Sequence, residues 1–291
     1  MMTARWLVLG AGGMLGRDLS SVLAGQPEVA LTAAARSDVD ISDAAAVRAA
    51  VMNADIVINA AAWTNVDGAE ADPDAALAVN GDAIGVLARA CAASGAPLIH
   101  VSTDYVFAGV ATQPYEEDAP TAPINAYGRS KLAGEQHVLR ELPDRGYVVR
   151  TAWLYGEHGR NFVRTMLTLA QTRETVDVVD DQRGQPTWSG ALARRLVDLG
   201  HRALAGAAPA GVYHGTASGE TTWYGLARAA FEQAGLDPDR VHPTTSEKFV
   251  LPAPRPSYSV LGHARWAQAG LPPLADWHAM LAEALPTIFP R

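Results

Sequence analysis

Short apolar runs alternate with helix-like segments through the first half of the chain. Apolar runs predict β-strands at residues 5–9, 29–34, 55–60, 97–102 and 147–152. Periodic apolar positions predict helices at residues 14–24, at about 43–52, over a long alanine-rich stretch that begins at Asp72 and Pro73, and over the segment containing residues 127–131. Because the strands are almost continuously apolar, both of their faces are expected to be buried. The alternation therefore predicts a parallel sheet covered by helices on both sides.

This alternation ends at Trp153, and the second half has a different pattern. It predicts amphipathic helices at residues 161–170, 189–204 and 221–235, a strand at 176–179, and loops at 204–211 and 250–261, the latter stiffened by prolines. We predict a first domain over residues 1–152 that also receives segments returning from about 176–215. Residues 153–291 are then mainly a smaller domain, laid over the carboxyl edge of the sheet.

Composition and charge exclude several classes of protein. With 48% hydrophobic and 19% charged residues, the chain has a globular composition rather than a disordered one. Its formal net charge of −8 argues against a nucleic-acid or anionic-membrane surface, because both require clustered cations. The single cysteine, Cys91, excludes an internal disulfide and is typical of a reducing compartment. The eight histidines lack metal-ligand spacing, so we expect no zinc site.

The apolar run near the N-terminus is too short for a signal peptide. We also expect no stretch of the roughly 20 apolar residues that a membrane span needs. Both points predict a cytoplasmic protein.

The first strand is followed by three glycines at the start of the first helix. Gly10 and Gly13 permit a tight turn, and Gly16 allows close packing of helix against strand. Backbone N–H groups at such a turn are suited to a pyrophosphate. The spacing G-x-x-G-x-x-G is the one used by short-chain dehydrogenase/reductases, although a plain tight turn would explain it too. With the parallel sheet, it predicts a Rossmann-type, doubly wound α/β fold that binds a dinucleotide.

The end of the second strand bears on the choice of dinucleotide. An acidic residue there normally holds the free ribose hydroxyl of NAD, but here no acid appears before Asp38. Arg36 lies close by, and its guanidinium can pair with the 2′-phosphate of NADP, unless it only faces solvent. Asp40 is predicted to contact adenine while it caps the next helix. We therefore favour NADPH and leave NADH open.

Small and polar side chains follow two further strands. Residues 60–62 are alanines, which let the backbone approach a flat cofactor closely. Ser102, Thr103 and Asp104 end the fourth strand, at the edge where open parallel sheets bind ligands. Thr103 alone is a common strand-end hydroxyl. It gains interest from its expected proximity to Tyr127 and Lys131.

Tyr127 and Lys131 are four residues apart in the segment NAYGRSK. Of the 23 lysine and arginine residues, only Lys131 and Lys248 are lysines. An ammonium is a compact charge on a flexible stem, whereas guanidinium is a planar fork. The alternative explanation of this spacing is an ordinary contact between Tyr127 and Lys131 on the wet surface of a helix, which stabilises the helix by a few tenths of a kcal/mol.

Together these motifs resemble the dTDP-4-dehydrorhamnose reductase family of the extended short-chain dehydrogenase/reductases. The similarity runs nearly end to end. In the first half it covers GAGGMLG, NAAAWTNVDGAE, AVNGDAIGVLA with Asn80, STDYVF and YGRSKLAGE. In the second half it covers RTAWLYG, NFVRTML, DDQRGQPT, YHGTASGETTWYGLA and RPSYSVL. The segments STDYVF and DDQRGQPT are more specific than the glycine triplet.

The resemblance implies a role for each part of the site. NADPH delivers a hydride to the C4 ketone of a nucleotide-linked sugar, Tyr127 donates the proton, and Thr103 hydrogen-bonds the same oxygen. Lys131 is expected to lower the pKa of Tyr127 and to bind the nicotinamide ribose. The implied cofactor contacts are Gly10, Gly12, Gly13, Met14, Leu15, Arg36, Asp40, Ile41, Ala60, Ala61, Ala62, Asn80, Ser102, Tyr127 and Lys131. The implied substrate contacts are Thr64, Val66, Asp104, Trp153 and Arg255.

Some of these roles have alternatives. Trp153 would otherwise be a packing residue at the domain seam, and Asp104 a carboxylate satisfied by backbone. Arg255, held between two prolines, is proposed to bind the substrate diphosphate, with Arg160 as a weaker candidate.

The resemblance also leaves alternative functions open. Related 4,6-dehydratases carry Asp-Glu after the active-site threonine, whereas this chain has Asp104-Tyr105, so elimination lacks its base. Epimerase chemistry, another dTDP-4-keto-6-deoxysugar, and a non-catalytic NADP-binding regulatory subunit remain alternatives, and a homodimer is left open. Some relatives dimerise through a metal bridged by carboxylates. Asp18 has no acidic partner near Gly190, so we do not extend that metal to this chain.

Overall fold

The computed structural model describes residues 3–289 of the 291-residue chain. Its strands are β1 Ala4–Leu9, β2 Val29–Ala34, β3 Ile56–Asn59, β4 Leu98–Thr103, β5 Gly146–Thr151, β6 Leu154–Tyr155, β7 Val176–Val179, β8 Arg183–Gly184, β9 Thr187–Trp188, β10 Gly211–His214, β11 Thr221–Thr222 and β12 Val241–Thr244. Its α-helices are α1 Met14–Ala24, α2 Ala44–Val51, α3 Val66–Ala71, α4 Pro73–Leu77, α5 Ala83–Ser94, α6 Ala126–Glu141, α7 Phe162–Leu169, α8 Ser189–Leu204, α9 Trp223–Gln233, α10 Arg265–Gln268 and α11 Trp277–Ile288.

Six parallel strands form the central sheet, in the order β2-β1-β3-β4-β5-β10. The chain places β2 on one side of β1 and β3 on the other, so the strand order reverses between β1 and β3. Open sheets of this kind bind ligands at such a reversal, beyond the carboxyl ends of the strands. The predicted Rossmann-type, doubly wound α/β fold is confirmed.

The apolar strands are covered on both faces. Successive residues of β1 point to opposite sides of the sheet. Trp6 and Val8 pack in a core that includes α1 and α8. Leu7 and Leu9 pack in a second core that includes α2 and α5. Strand β3 is buried along its whole length, which explains why its sequence shows no polar alternation.

Side-chain caps fix where several helices of the site begin. Asp72 accepts a hydrogen bond from the Ala75 N–H at 3.0 Å, with Pro73 at the first helical position, as predicted. The alanine-rich stretch then passes through a π-helical turn at Ala78–Asp82 into α5. Asn125 caps α6 by accepting from the Gly128 N–H at 2.8 Å. This cap sets the position of Tyr127, two residues into the helix.

The second half of the chain contributes an edge strand that the sequence did not predict. Strand β10 pairs with β5 in parallel register and widens the sheet from five strands to six. The predicted strand β7 is present, but it pairs with β12, outside the main sheet. Helix α8 packs on the same core as α1. The exact division into two domains stays a prediction.

The stretch Pro73–Ser94 is 22 residues long and apolar enough to resemble a membrane span by length and composition. The expectation that no stretch reaches this length is therefore wrong. In the structure, 56% of its most apolar window is buried inside the protein. Ile84, Leu87 and Cys91 are fully buried there. A core helix passes the same test, so this length is weak evidence for a membrane span.

Within residues 3–289, no group of three or more histidine, cysteine, aspartate or glutamate side chains is arranged to hold a metal ion. Cys91 is a buried free cysteine, and burial raises the pKa of its thiol to about 12.

A buried ion pair ties α6 to the sheet, and its removal tests how the fold is held. Arg150 on β5 donates to both carboxylate oxygens of Glu135, with its Nη2 at 2.7 Å from Oε2, and both side chains are nearly inaccessible. Replacing Arg150→Met leaves a buried carboxylate without its partner. We expect this to lower the free energy of unfolding by about 3–5 kcal/mol, measured by urea denaturation.

Two further variants make this prediction specific. The double variant Glu135→Leu/Arg150→Met removes both charges and should be more stable than Arg150→Met alone. The exposed pair between Arg194 and Glu283, at 3.0 Å, serves as the control, and Arg194→Met should lower the free energy of unfolding by less than about 1 kcal/mol. Equal losses in Arg150→Met and Arg194→Met would contradict the predicted role of the buried pair.

Candidate functional site

A cavity of about 830 Å³ lies at the carboxyl ends of the central strands, within the size range of ligand pockets. Most residues predicted for the site line it: Gly10, Gly12, Gly13, Met14, Leu15, Arg36, Asp40, Ile41, Ala60, Ala61, Ala62, Thr64, Val66, Ser102, Thr103, Asp104, Tyr127, Lys131 and Trp153. Two predicted residues, Asn80 and Arg255, do not line it. The structure thus brings 19 residues from both halves of the sequence to one cavity.

The glycine turn forms one wall of this cavity. Gly10 has φ +82°, a backbone conformation that favours glycine. A Cβ atom at Gly10 would lie 2.5 Å from the Ala61 backbone nitrogen, so only glycine lets the two chain segments approach this closely. Helix α1 begins at Gly13 without a side-chain cap. Its first N–H groups therefore remain available to an anion, which fits a dinucleotide pyrophosphate.

Arg36 and Asp40 also line the cavity, from the segment that follows β2. The Arg36 Nε is 3.3 Å from an oxygen of Asp40, and the arginine side chain is 86% exposed. The second Asp40 oxygen accepts from the Ser42 N–H at 2.9 Å, and the prediction that Asp40 caps the next helix is wrong, because Asp43 caps α2. The backbone N–H of Ser42 is the main reason that the pKa of Asp40 is lowered. Asp40 thus stays ionised and restrains a guanidinium that is otherwise free to meet a phosphate.

Asn80 supports the wall from behind. Its side chain accepts from the Trp63 N–H at 2.8 Å and donates to the Trp63 carbonyl at 3.0 Å. It also donates to Ser130 on α6 at 3.0 Å. Asn80 lies in the π-helical turn, a distortion that is frequent at functional sites. Its contacts position the segment after β3, and its predicted direct role with a cofactor stays a prediction.

Thr103 and Asp104 end β4 as predicted and interact with each other. The Thr103 hydroxyl donates to the Asp104 carboxylate at 3.0 Å and accepts from the Tyr105 N–H at 3.2 Å. The second Asp104 oxygen and the Ser259 hydroxyl are both buried, and neither makes a hydrogen bond of standard geometry among the described residues, although Ser259 lies close enough to affect the pKa of Asp104. Burial raises the pKa of Asp104 to about 6, and the hydroxyls of Ser259 and Thr103 oppose this rise. A buried oxygen lining a cavity is suited to accept a hydrogen bond from a ligand hydroxyl.

Tyr127 lines the cavity from the second position of α6, and its ring meets Tyr105 edge-on at 5.9 Å. Burial and the charge of Asp104 raise the pKa of Tyr127 to about 12, while Thr103 acts in the opposite direction. The sequence predicts a pKa lowered by Lys131, and this expectation is wrong for the arrangement seen here. After burial, the groups that affect the pKa of this phenol are Asp104 and Thr103.

Lys131 is almost fully buried, with 2% of its surface exposed. Its Nζ donates to the Val101 carbonyl at 2.7 Å and lies 3.4 Å from His100 Nε2. Burial lowers the pKa of Lys131 to about 8, and Glu135 acts in the opposite direction. Because Lys131 is buried, the Tyr-x-x-x-Lys spacing is not explained by an ordinary contact between Tyr127 and Lys131 at a wet helix surface.

Trp153 forms part of the far wall. It is the one residue other than glycine with positive φ, at +47°, within the described chain. Its ring stacks on Trp223 of α9 with centroids 3.6 Å apart and planes 9° apart. A Cβ atom at Gly184 would lie 2.6 Å from the Trp153 ring, so glycine is required there. The strained backbone and close stacking fix the ring beside the cavity.

As candidate cations for the substrate diphosphate, Arg160 is better placed than Arg255, the reverse of the order expected from the sequence. Arg255 donates to Asp67 at 2.9 Å and to the Ala253 carbonyl at 2.8 Å, and it does not line the cavity. Its predicted contact with a diphosphate stays a prediction, but it would compete with Asp67. Arg160 is exposed and lines the cavity, following Gly159 with φ +71°. Arg160 is therefore the better placed cation.

Trp223 also lines the cavity and was not predicted from the sequence. Its position within the similar segment YHGTASGETTWYGLA was the available signal.

Comparison with known proteins agrees with this geometry. Residues 4–288 match the model of the family described as RmlD substrate binding domain. A dTDP-4-dehydrorhamnose reductase from Streptomyces griseus is 54% identical, covering 99% of this chain and 95% of the relative. A dTDP-4-keto-6-deoxy-D-glucose reductase from Streptomyces niveus is 52% identical, covering 99% and 98%. The crystal structure of dTDP-4-dehydrorhamnose reductase from Bacillus anthracis in complex with NADP superposes with a TM-score of 0.91 at 36% identity, covering 97% and 99%.

The buried carboxyl of Asp104 leads to a prediction about stability and pH. The pKa of Asp104 is about 6 in the fold against an ordinary 3.8, so above pH 6 its ionisation destabilises the folded protein. As the pH falls from 6 towards 3.8, the folded state gains the proton first and this cost disappears. Asp104→Asn should therefore raise the free energy of unfolding at pH 7 by roughly 1–3 kcal/mol, with a smaller gain at lower pH.

Urea denaturation across this pH range measures the effect. The matched control is Asp144→Asn, which removes an exposed carboxylate and should change stability little at any pH. A gain in Asp104→Asn that is constant from pH 7 to pH 4 would show that ionisation of Asp104 is not its cause.

Proposed function

This chain belongs to the RmlD substrate binding domain family, and from that premise we propose that it uses NADPH to reduce the C4 ketone of dTDP-4-dehydro-L-rhamnose to dTDP-L-rhamnose. Membership makes the chain an NAD(P)H-dependent oxidoreductase that acts on dTDP-linked sugars. The observation that carries the proposal is one cavity lined by the glycine turn, Thr103, Tyr127 and Lys131.

NADPH would lie along the part of the cavity lined by the glycine turn, Arg36 and residues 60–62, and it would supply the hydride. The α1 N-terminus and the glycine turn are suited to its pyrophosphate, and Arg36 to its 2′-phosphate. The alanines at 60–62 line the adjoining wall with small side chains. The NADP complex of the related Bacillus anthracis enzyme supports this cofactor.

Tyr127 is the proposed proton donor. A phenol with a pKa of about 12 is protonated throughout the neutral range, so it is always ready to donate. The reduced ketone becomes an alkoxide, whose affinity for a proton is close to that of hydroxide, with a pKa for water of about 15.7. Transfer from the phenol is therefore favourable without a lowered pKa. Thr103 would hold the same oxygen by a hydrogen bond, which stabilises the charge that develops there.

The sugar would occupy the half of the cavity lined by Asp104, Trp153 and Trp223. The unpartnered oxygen of Asp104 is suited to a sugar hydroxyl. Stacked tryptophans provide a flat apolar surface suited to a sugar or base ring. Arg160 is the cation that we assign to the substrate diphosphate.

A second candidate substrate is another dTDP-4-keto-6-deoxysugar. The two Streptomyces relatives differ by only two percentage points in identity to this chain, 54% and 52%, yet their names carry different sugars. Overall identity therefore does not choose between them.

The test is NADPH oxidation, followed by absorbance, with the 4-keto sugar generated in situ from dTDP-glucose by purified enzymes. NMR of the product then gives the configuration at C4. A product with the rhamno configuration is expected. Bound NADPH without consumption would contradict the enzymatic proposal and favour the regulatory-subunit alternative. A different configuration at C4 would favour the second substrate.

Tyr127→Phe is expected to lower kcat by about 10²–10⁴-fold, because the proton donor is lost. The Kd for NADPH, measured by its fluorescence, should change less than about twofold, since the ring remains. Tyr155→Phe is a matched control, because its buried hydroxyl has no hydrogen-bond partner in the described structure. Turnover above about a tenth of the wild-type rate in Tyr127→Phe would exclude Tyr127 as the donor.

Arg36→Ala is expected to raise the KM for NADPH by about 10–100-fold, because one charge-assisted contact with the 2′-phosphate is lost. The KM for NADH should remain nearly unchanged, because NADH lacks the 2′-phosphate. Arg48→Ala removes an exposed arginine that does not line the cavity and should alter neither value. Parallel losses with both cofactors would show that Arg36 does not read the 2′-phosphate.

A further inference from the structure

A chain of buried polar groups lies beneath the catalytic residues and is not used by the proposed reaction. Asn59, at the end of β3, and His100, on β4, are both fully buried. The Asn59 Nδ2 lies 3.0 Å from His100 Nδ1, and His100 Nε2 lies 3.4 Å from the Nζ of Lys131. The imidazole therefore contacts Lys131 directly, between the sheet and α6.

Backbone contacts fix the orientation of the Asn59 amide. The Ala61 N–H can only donate, and it lies 3.2 Å from Asn59 Oδ1. The Asn59 Nδ2 then faces the Ala61 carbonyl at 3.3 Å. Turning the amide over would bring two donors together and two acceptors together. The NH₂ group is thus the end that faces His100.

This orientation selects the tautomer of His100. Because Asn59 donates to Nδ1, that nitrogen is the acceptor, and the neutral ring carries its hydrogen on Nε2. Burial and the charge of Lys131 lower the pKa of His100 well below its ordinary value, so the ring is neutral. The Nε2–H then points at Lys131, and a lysine ammonium has only donors to offer in return.

The other groups around Lys131 only partly compensate its charge. Glu135, one turn along α6, attracts the ammonium, but Arg150 of β5 already holds both carboxylate oxygens. Tyr127 is a neutral phenol at neutral pH. The Val101 carbonyl at 2.7 Å accepts more strongly from an ammonium than from an amine, so this contact acts against the neutral form. At the end of β4, the carboxyl of Asp104 interacts with Thr103.

We propose that His100 is a positioning residue for Lys131: its Nε2–H, oriented by Asn59, points at the Lys131 Nζ and favours the neutral amine over the ammonium. The consequence for turnover rests on the proposed function. Once Tyr127 has given its proton to the sugar oxygen, the phenolate must regain one that comes from solvent. A buried lysine that loses and regains a proton near neutral pH is suited to pass one to the phenolate, whereas a permanent ammonium is not.

The chain allows the charge of Lys131 to be measured directly. It contains only two lysines, so protein labelled with ¹³C at lysine Cε should give two NMR signals, one from Lys131 and one from the exposed Lys248 as an internal reference. We expect the Lys131 signal to titrate at about pH 8. The measurement uses the whole protein without sugar, so failure of the proposed reaction would not affect it.

Two variants test whether His100 is the cause. His100→Gln places an amide near the Nε2 position that is free to turn its oxygen towards the ammonium. His100→Asn keeps an acceptor for Asn59 but leaves no N–H opposite the lysine. In each, the Lys131 midpoint should rise by about one pH unit or more, and the pH limb of kcat that reports this group should move with it.

His214→Gln is the matched control. His214 is another fully buried histidine of the same sheet, on β10, where its Nδ1 contacts the Gly262 carbonyl at 2.9 Å. It does not touch Lys131, so the Lys131 midpoint should stay at the wild-type value even if stability falls. Equal midpoints in wild type, His100→Gln and His100→Asn would overturn the proposal.

A measurement on the unmodified protein covers the case in which the variants do not fold. In protein labelled with ¹⁵N histidine, the two ring nitrogens of His100 report which one carries the hydrogen. We expect the hydrogen on Nε2. A hydrogen on Nδ1 would make Nε2 an acceptor for the ammonium and would overturn the proposal.

Discussion

Two buried polar contacts, one helical turn apart, join α6 to the sheet, and the geometry of the whole site depends on them. Lys131 donates to the Val101 carbonyl of β4, and Glu135 holds Arg150 of β5. Both side chains point from the same face of α6, because residues four apart share a face. Tyr127, one turn earlier, is then held over the end of β4, beside Thr103 and Asp104. A shift of α6 along its axis would break both contacts at once.

The cost of burying these groups appears as displaced protonation equilibria. Burial raises the pKa of Asp104 and of Tyr127 and lowers that of Lys131, so in each case the neutral form is favoured. Neutral forms suit a reduction, since a phenol that keeps its proton is ready when negative charge develops on the substrate. A phenol that keeps its proton throughout the neutral range therefore fits the proposed role of Tyr127 as proton donor.

The sheet and the cofactor half of the site were predictable because they depend on local patterns. The apolar runs of β1 and β3, and the glycines between β1 and α1, determine structure within a few residues. Strand β10 was missed because Gly211–His214 lies at the edge of the sheet and includes a glycine and a histidine, so it does not form a continuous apolar run. The ion pair of Arg255 with Asp67 could not be predicted, because the two residues are 188 positions apart. The pKa of Tyr127 depends on how deeply the fold buries it and on Asp104, which no spacing reveals.

The two halves of the chain line different parts of the cavity, and this bears on where the preference for a particular sugar is determined. The first half of the chain supplies the glycine turn and Arg36, for which we propose contacts with phosphate groups that every NADP molecule carries. Trp223 and Arg160 come from the second half, and Trp153 from just beyond β5. The Trp153 ring is fixed by its backbone at φ +47°, by Gly184 behind it and by Trp223 stacked on it. A change at any of these contacts would move a rigid surface of the proposed sugar pocket while leaving the proposed cofactor contacts intact. Relatives of nearly equal identity can therefore differ in substrate through a few positions in the second half.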